Sequence, residues 1–229
     1  MTTLSGKYHE RALRLYLLLG GLFIAALVTC NLIANKFITV DLGFYTFVIS
    51  AGVLPYPLTF LITDLLSELY GRKRTNLIVA TGFFASMLVL VILFLGDQFN
   101  AIPSSPVSDD QYATMFANSW RVISASMIAY LAAQFLDIRL YHFWKAFTKG
   151  KHLWLRNNAS TITSQLLDTT LVVLVLFVGV LPFNKLLEFI LHGWFFKLIC
   201  ALFDTPLLYA AVYSARKYFG HSANEELEL

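Results

Sequence analysis

The sequence predicts an all-α integral membrane protein with six transmembrane helices. The chain has 229 residues, of which 58% are hydrophobic and only 14% are charged, and its mean hydropathy is +0.66. Soluble domains carry about 25% charged residues, so a soluble fold of this size would lack the polar side chains to cover its surface. A disordered chain is also excluded, because disorder needs low hydrophobicity. The net charge of +3 is too small to indicate a nucleic-acid partner.

Six apolar segments are each long enough to cross the hydrocarbon core as a helix, which takes about 20 residues. None shows the alternating pattern of about 10 residues that a β-barrel strand needs. The predicted spans are Leu13–Ile33, Phe44–Leu69, Leu77–Leu95, Trp120–Phe143, Ala159–Leu181 and Leu186–Ser214. They divide the chain into a cytoplasmic tail (1–12), a six-helix domain (13–216) and an acidic cytoplasmic tail (217–229) that is expected to be disordered.

Both termini are predicted to face the cytoplasm, because most of the 17 Lys and Arg residues fall on one side of the predicted spans. They cluster in the N-terminal tail, in the loop after the second span, between the fourth and fifth spans and in the C-terminal tail. Only Lys36 and Lys185 fall in loops on the other side. Cytoplasmic loops carry the excess of Lys and Arg in membrane proteins, and an even number of spans agrees with this orientation.

The sequence contains none of the motifs that would indicate an enzyme or a cofactor. It has no phosphate-binding Gly-x-x-x-x-Gly-Lys-Ser/Thr loop, no His-Glu-x-x-His zinc motif and no Gly-x-Ser-x-Gly nucleophile motif. Cys30 and Cys200 both fall inside predicted spans, where a single thiol packs as a small apolar side chain. We therefore expect no metal, no cofactor and no catalytic residue.

The second span contains two carboxylates that share one helix face. Asp64 and Glu68 are four residues apart, and two like charges at this spacing repel unless a proton or a cation lies nearby. A charge at the bilayer centre costs roughly 2.5–3.5 kcal/mol on insertion scales, so such residues often mark a site or a pathway. Glu68 could instead pair with Arg72 near the cytoplasmic end. Pro55 and Pro57 precede the two carboxylates and predict a kinked or broken helix beside the bundle centre.

The fourth and fifth spans carry the same pair of an amide and a carboxylate. Gln134 and Asp137 have the same three-residue spacing as Gln165 and Asp168, which places each pair on one helix face. Lys197 is in the middle of the sixth span, the most costly position for a charge in this chain. It is expected either to form a buried ion pair with Asp168 or to bind substrate. Each of these residues could also serve only to hold helices together.

Three further polar residues lie near the outer ends of spans. Asn31 and Asn35 of the first span either cap the helix or line a cavity. Arg121, at the start of the fourth span, either reaches the interface or guards the entrance to a site. Aromatic side chains make up 15% of the chain. Many belong to interfacial belts, and others could stack on a flat ligand.

One string of the second span is similar to the hallmark of a known family. Residues 57–74, Pro-Leu-Thr-Phe-Leu-Ile-Thr-Asp-Leu-Leu-Ser-Glu-Leu-Tyr-Gly-Arg-Lys-Arg, resemble that of the queuosine precursor transporters, also called the vitamin uptake transporter family. Shorter stretches at 31–36, 154–161, 164–169 and 196–209 resemble the same family. The resemblance therefore covers nearly the whole chain.

The resemblance implies a multi-pass protein of a bacterial or archaeal inner membrane that takes up precursors of the tRNA base queuosine, 7-cyano-7-deazaguanine and 7-aminomethyl-7-deazaguanine. A carboxylate would then accept hydrogen bonds from the ring N–H groups, and a glutamine would donate one to the ring carbonyl. The cationic aminomethyl form would favour a carboxylate-rich cavity. The expected partners are this small molecule and membrane lipids, with no nucleic acid, and a homo-oligomer is left open. The candidate substrate-binding residues are Asn31, Asp64, Glu68, Arg121, Gln134, Asp137, Gln165, Asp168 and Lys197.

Two other functions remain open from the residues alone. In span count and size the family resembles the substrate-binding subunits of energy-coupling-factor importers, so the chain could be a vitamin- or nucleobase-binding subunit. Such subunits contact an ATPase module through small residues of the first helix. Here the first span offers only Gly21, Ala25 and Thr29, a face that ordinary helix packing also uses, so no ATPase module is expected. The more remote alternative is an intramembrane enzyme that uses a buried carboxylate as acid or base.

The coupling of transport is also open at this stage. Carboxylates within the spans suggest coupling to protons, but facilitated diffusion followed by metabolic trapping explains the same residues.

Overall fold

The computed structural model describes residues 6–33, 36–41, 43, 46–117, 120–177, 182–220 and 225–227, and it is mostly helical. Phe44, Leu181 and Asn35, named above, lie outside the described residues. The helices are α1 (Gly6–Leu32), α2 (Tyr56–Asp97), α3 (Asp109–Tyr112), α4 (Trp120–Phe147), α5 (Leu153–Phe177) and α6 (Phe183–Phe219). The other elements are the strands β1 (Phe37–Asp41) and β2 (Thr46–Ser50), a 3₁₀ turn (Ala51–Val53) and a π-helical segment (Ala113–Ala117).

The first part of the predicted second span is extended, so the expectation of an all-α fold is wrong for this stretch. β1 and β2 form an antiparallel hairpin in which Asp41 lies opposite Thr46. Their β-branched and aromatic side chains favour strands over helices. Gly43 takes a left-handed conformation (φ 80°) in the turn between them, and its N–H donates to Asp41 Oδ1 at 2.9 Å.

Proline fixes the point at which the chain changes from strand to helix. Pro55 directly precedes α2, and Pro57 lies in the first turn of the helix, where a missing N–H costs nothing. The helix accordingly begins at Tyr56, well after the position predicted for the second span.

α2 is a helical hairpin and not one long helix. Its backbone leaves the helical conformation at Gly71 (φ 77°, ψ 170°), a combination that is essentially restricted to glycine. Ser67 and Thr75 are eight positions apart, which corresponds to about 12 Å along a straight helix. Their hydroxyl oxygens are only 3.4 Å apart, so the chain folds back at Gly71. The first arm (56–70) and the second arm (72–97) correspond to the second and third predicted spans.

Among the described residues, three helical segments are long and apolar enough to cross a membrane, by length and composition: Tyr8–Leu32, Ala51–Asp97 and Phe183–Phe219. The middle one contains both arms of α2. α4 and α5, with 28 and 25 residues, carry more polar side chains. The second arm exposes large apolar side chains, as a lipid-facing surface requires: Leu77, Phe84, Leu88, Val91, Ile92, Phe94 and Leu95. The fold is thus that of a helical membrane protein, and the six-span topology stays a prediction.

α1 packs against the turn between the two arms of α2. The Tyr70 hydroxyl donates to the Ala12 carbonyl at 2.8 Å, and the Tyr16 hydroxyl donates to the Arg74 carbonyl at 3.0 Å. The two tyrosine rings meet edge to face at 5.2 Å. α1 therefore contacts both arms close to Gly71 and stabilises their relative position.

The described part of the acidic tail also returns to this turn. The Leu227 N–H donates to the Leu69 carbonyl at 2.6 Å, and the Leu227 side chain is buried in the main apolar cluster. The expectation of a disordered tail is therefore wrong for residues 225–227.

Replacing Gly71 with alanine tests the turn. A Cβ at a φ of 77° and a ψ of 170° is strained, and such backbone outliers cost about 1–3 kcal/mol. We expect Gly71→Ala to lower the thermal unfolding midpoint of the purified protein in detergent. Gly21→Ala is the matched control, because Gly21 is helical and a Cβ there meets nothing within 4 Å. Equal midpoints for the two variants would contradict the assigned turn.

Candidate functional site

α5 presents a continuous polar face to its neighbours. α4 packs along one side of this face, where Ser164 contacts Asp137, and α6 packs along the other, where Asn158 contacts Thr205. Polar groups buried inside a membrane protein are costly and usually functional, so this face is the natural place to look for a site. Its buried polar side chains are Asn157, Asn158, Ser160, Thr161, Ser164, Gln165, Asp168 and Thr169.

Near one end of this face, the buried carboxylate of Glu68 is contacted by cations from three other helices. Its Oε1 lies 2.6 Å from the guanidinium of Arg156 (α5) and also contacts Arg216 (α6). Its Oε2 lies 3.5 Å from Lys145 Nζ (α4) and accepts a hydrogen bond of 3.0 Å from the Tyr141 hydroxyl. We call these five residues the Glu68 cluster.

The Glu68 cluster joins four helices and leaves its central carboxylate little capacity for a ligand. Arg72, the alternative partner in the sequence analysis, is exposed and forms no ion pair with Glu68 in the part of the chain that the structure describes. The sequence correctly places Glu68 in the bundle, but its geometry suits a structural role better than substrate binding.

One turn before Glu68, Asp64 meets a second carboxylate. Asp64 and Asp137 (α4) are both buried and lie within hydrogen-bonding reach of each other. The Ser164 hydroxyl (α5) donates to Asp137 Oδ1 at 2.8 Å. Asp64 Oδ1 and Asp137 Oδ2 find no donor among the described residues. We call Asp64 and Asp137 the carboxyl pair.

Further along α5, Lys197 of α6 forms the ion pair with Asp168 that the sequence suggested. Lys197 Nζ lies 2.7 Å from Asp168 Oδ2, and both side chains are largely buried. The ammonium also lies 4.4 Å from the ring centroid of Tyr56, within the range of a cation–π interaction. One carboxylate oxygen and one aromatic face are thus used by Lys197.

Gln134 is held by the protein on both sides of its amide. Its Nε2 donates to the Tyr130 hydroxyl, and its Oε1 accepts from the Thr63 hydroxyl at 3.4 Å. The rings of Tyr56, Phe60 and Tyr130 pack against one another beside this amide, with centroid distances of 5.2–6.1 Å. These rings form an aromatic wall next to the Lys197–Asp168 ion pair.

Several buried polar atoms between these groups lack a hydrogen-bond partner among the described residues. Both polar atoms of the Gln165 amide, Asp168 Oδ1 and Thr169 Oγ1 are in this state. An unsatisfied buried polar group costs about 1–3 kcal/mol, so a protein keeps few of them without reason. Gln165 and Asp168 share one face of α5, and together they offer a donor and two acceptors.

The first arm of α2 begins beside this group and not at an end of the bundle. Tyr56, its first residue, contacts Lys197, which lies well inside α6, and Tyr130, which lies inside α4. Pro55 provides no side-chain cap, so the N–H groups of the first turn have no cap from that residue. Half-helices that start within the membrane bind substrates at their N-termini in other transporter folds. The helix start at the prolines thus lies next to the unpartnered polar atoms of Gln165 and Asp168.

Asn31, another predicted residue, lies apart from this group. The Asn31 amide donates to the Leu27 carbonyl of its own helix at 3.2 Å and borders a small cavity between α1 and the second arm of α2. Asn31 therefore both bonds to a carbonyl near the end of α1 and lines this small cavity. Arg121 lies in α4, but its side chain is outside the described residues.

Arg156 and Tyr141 are the main residues that the sequence reasoning missed. Arg156 was counted among the loop cations because the fifth span was expected to begin at Ala159. α5 in fact begins at Leu153, which brings Arg156 into the bundle, where it is almost completely buried. The available signal was its position in a stretch that resembles the family, directly before two asparagines.

The comparisons with known proteins agree with this picture. The family described as "Putative vitamin uptake transporter" matches residues 50–211. The chain belongs to this family. It is also 32% identical, over 195 residues and 83% of each chain, to a Bacillus subtilis (strain 168) protein named "Probable queuosine precursor transporter". No solved structure matches the chain.

Family membership confirms the resemblance seen in the sequence and makes the protein a membrane transporter and not an enzyme. The matched residues 50–211 include α2, α4, α5 and most of α6, but they end before Arg216 of the Glu68 cluster.

Removing the charge of Glu68 tests its structural role in this transporter. In Glu68→Gln, Arg156 would be left buried without its carboxylate, and breaking a buried ion pair costs about 3–5 kcal/mol. We expect a large fall in the thermal unfolding midpoint in detergent. Glu188→Gln is the matched control, since its ion pair with Lys185 is exposed and contributes little. A Glu68 variant as stable as the Glu188 variant would contradict the structural role.

Proposed function

We propose that this chain imports 7-deazaguanine precursors of queuosine across the cell inner membrane of a bacterium or archaeon, for salvage into tRNA modification. The Bacillus subtilis relative is named for transport of a queuosine precursor, and the chain belongs to a family of transporters. The observation that carries the proposal is the set of buried, unpartnered polar atoms of Gln165 and Asp168 beside an aromatic wall. This combination suits a flat, polar heterocycle.

The chemistry of the ligand matches the open atoms. A guanine-like edge presents N–H donors and a ring carbonyl. Asp168 Oδ1 and the Gln165 Oε1 can accept from the donors, and the Gln165 Nε2 can donate to the carbonyl. Binding would satisfy atoms that are otherwise desolvated at a cost, which is how a buried polar site achieves selectivity.

The aromatic wall supplies the remaining contact. Tyr56, Phe60 and Tyr130 are packed together next to Asp168, and a flat ring system gains from stacking on such side chains. Lys197 neutralises Asp168, so the substrate site is not strongly acidic at this point. A neutral ligand such as 7-cyano-7-deazaguanine therefore suits it.

The proposed topology has six spans with both termini in the cytoplasm. The six helical segments are α1, the two arms of α2, α4, α5 and α6, of which the first arm of α2 (56–70) is shorter than a full span. In this orientation the Glu68 cluster lies toward the cytoplasm, near the basic loop after the first arm of α2, and the β-hairpin lies on the opposite side. The substrate site then lies between them, at the start of the first arm.

Restoration of queuosine tests the proposed function. A bacterial strain that can neither make nor import the precursors should regain queuosine in its tRNA when it expresses this chain and receives micromolar 7-cyano-7-deazaguanine. The result should not require an added ATPase module. Absence of queuosine in cells whose membranes contain the folded protein would overturn the proposal, and dependence on an ATPase module would favour a coupled subunit.

Substitution of Gln165 separates function from stability. Gln165→Leu replaces an unpartnered amide with an apolar side chain of similar size, so stability should be unchanged or higher. Uptake should fall about tenfold or more, because the substrate loses two hydrogen bonds of roughly 0.5–1.5 kcal/mol each. Initial rates of labelled precursor uptake and unfolding midpoints would be measured together.

Gln134→Leu is the matched control for that substitution. Its amide is bonded to Tyr130 and Thr63, so its loss should lower the unfolding midpoint as well as uptake. If Gln165→Leu transports normally, the amide does not contact the substrate.

A further inference from the structure

The carboxyl pair of Asp64 and Asp137 is not explained by the proposed substrate site. Both side chains are almost completely buried, they lie within hydrogen-bonding reach of each other, and each keeps an oxygen without a donor. Two carboxylates in direct contact cannot both remain ionised, because like charges at such a distance in a low dielectric repel strongly. A proton bound between the two carboxyl groups removes this repulsion. It also lets one carboxyl donate a hydrogen bond to the other.

Among the residues that the structure describes, no cation forms an ion pair with either carboxyl of the pair. Within the described part of the chain, the buried acids that form ion pairs are Glu68 and Asp168, and neither member of the carboxyl pair does. The other acids that face Asp64 are Asp204 of α6 and Glu68 of its own helix. Each of these two acids adds negative charge near Asp64, although the charge of Glu68 is compensated by Lys145, Arg156 and Arg216.

The surroundings also favour a proton over a metal ion. Ser164 donates to Asp137 from α5, and Ser160 and Thr161 lie within hydrogen-bonding reach of the same carboxyl. No group of three or more His, Cys, Asp or Glu side chains suited to a metal ion occurs in the described residues. Direct carboxyl–carboxyl contact needs a hydrogen atom between the oxygens, whereas a cation would hold them apart around it.

We propose that Asp64 and Asp137 together bind one proton, which enters with the substrate and is released to the cytoplasm, so that this transporter is a proton symporter. The inference rests on the proposed function and adds its driving force. The O–H bond forms with a proton taken from the outer solution and breaks on the inner side. No other bond changes.

α5 provides the physical link between the proton and the substrate. Ser164, which is bonded to the carboxyl pair, is followed directly by Gln165, and Asp168 lies one turn further along. A ligand that binds Gln165 and Asp168 therefore acts on α5, the same helix whose Ser164 donates a hydrogen bond to Asp137. Any movement of α5 toward the substrate changes the contact between Ser164 and the carboxyl pair, which couples the two sites.

The test uses the full chain reconstituted in liposomes and neutral 7-cyano-7-deazaguanine, whose distribution does not itself follow a pH gradient. With the outside one pH unit more acidic, one proton per substrate would drive accumulation of up to about tenfold over equilibrium. Asp64→Asn and Asp137→Asn should abolish accumulation above equilibrium. Asp204→Asn is the matched control, because it removes a half-buried carboxyl of α6 outside the pair, and it should still accumulate substrate.

A second measurement needs no variant and so does not depend on folding of the substituted chains. A pH-sensitive dye inside the liposomes should report acidification when the wild-type protein imports substrate in the absence of an imposed gradient. Influx to equilibrium without accumulation or acidification would overturn the proton site while leaving the proposed function intact. Accumulation that follows a sodium gradient, or persists in both Asn variants, would also overturn it. No influx at all would overturn the proposed function and this inference with it.

Discussion

The fold depends on one fully buried anion. Glu68 lies on the first arm of α2, and its carboxylate gathers Lys145, Arg156 and Arg216 from three other helices. In hydrocarbon no water is present to satisfy charged groups, so each charge must be matched inside the protein. One acid that serves three cations from different helices joins four segments of chain at a single point. Apolar packing alone would not fix them so specifically, because lipid tails are as apolar as leucine.

From this point the polar face of α5 extends into the bundle in two steps. The carboxyl pair and Ser164 come first, and the ion pair of Asp168 with Lys197 comes next. The two steps differ in charge balance: Asp168 is neutralised by Lys197, while the carboxyl pair has no ion pair in the part of the chain that the structure describes. α5 therefore borders both a carboxylate that is paired with a cation and two carboxylates of neighbouring helices that find no cation among the described residues.

The sequence allowed much of this to be predicted, because the cost of burying charge makes intramembrane polar residues informative. Asp64, Asp137 and Asp168 all lie where the sequence placed them, inside the bundle. The hairpin was missed because a short apolar run with β-branched residues fits a strand or a buried helix equally well.

Contacts between residues that are far apart in the sequence were the other feature that the sequence could not predict. Arg156 was assigned to a loop because a basic residue that precedes an apolar segment usually lies in a loop. Only the tertiary structure brings Arg156 to Glu68, which is 88 positions away in the sequence. Spacing along one helix reveals which residues share a face, but it does not reveal which residue on another helix meets them.

The β-hairpin has a consequence for the thickness of the membrane layer beside it. A sheet of two strands leaves a row of backbone N–H and C=O groups along each outer edge, and hydrocarbon cannot satisfy them. Through Phe47 the hairpin packs against Phe196, next to Lys197. In the proposed topology, water or polar protein surface must therefore follow the strands toward Lys197. In that topology, the layer without water beside the hairpin is thinner than the bilayer.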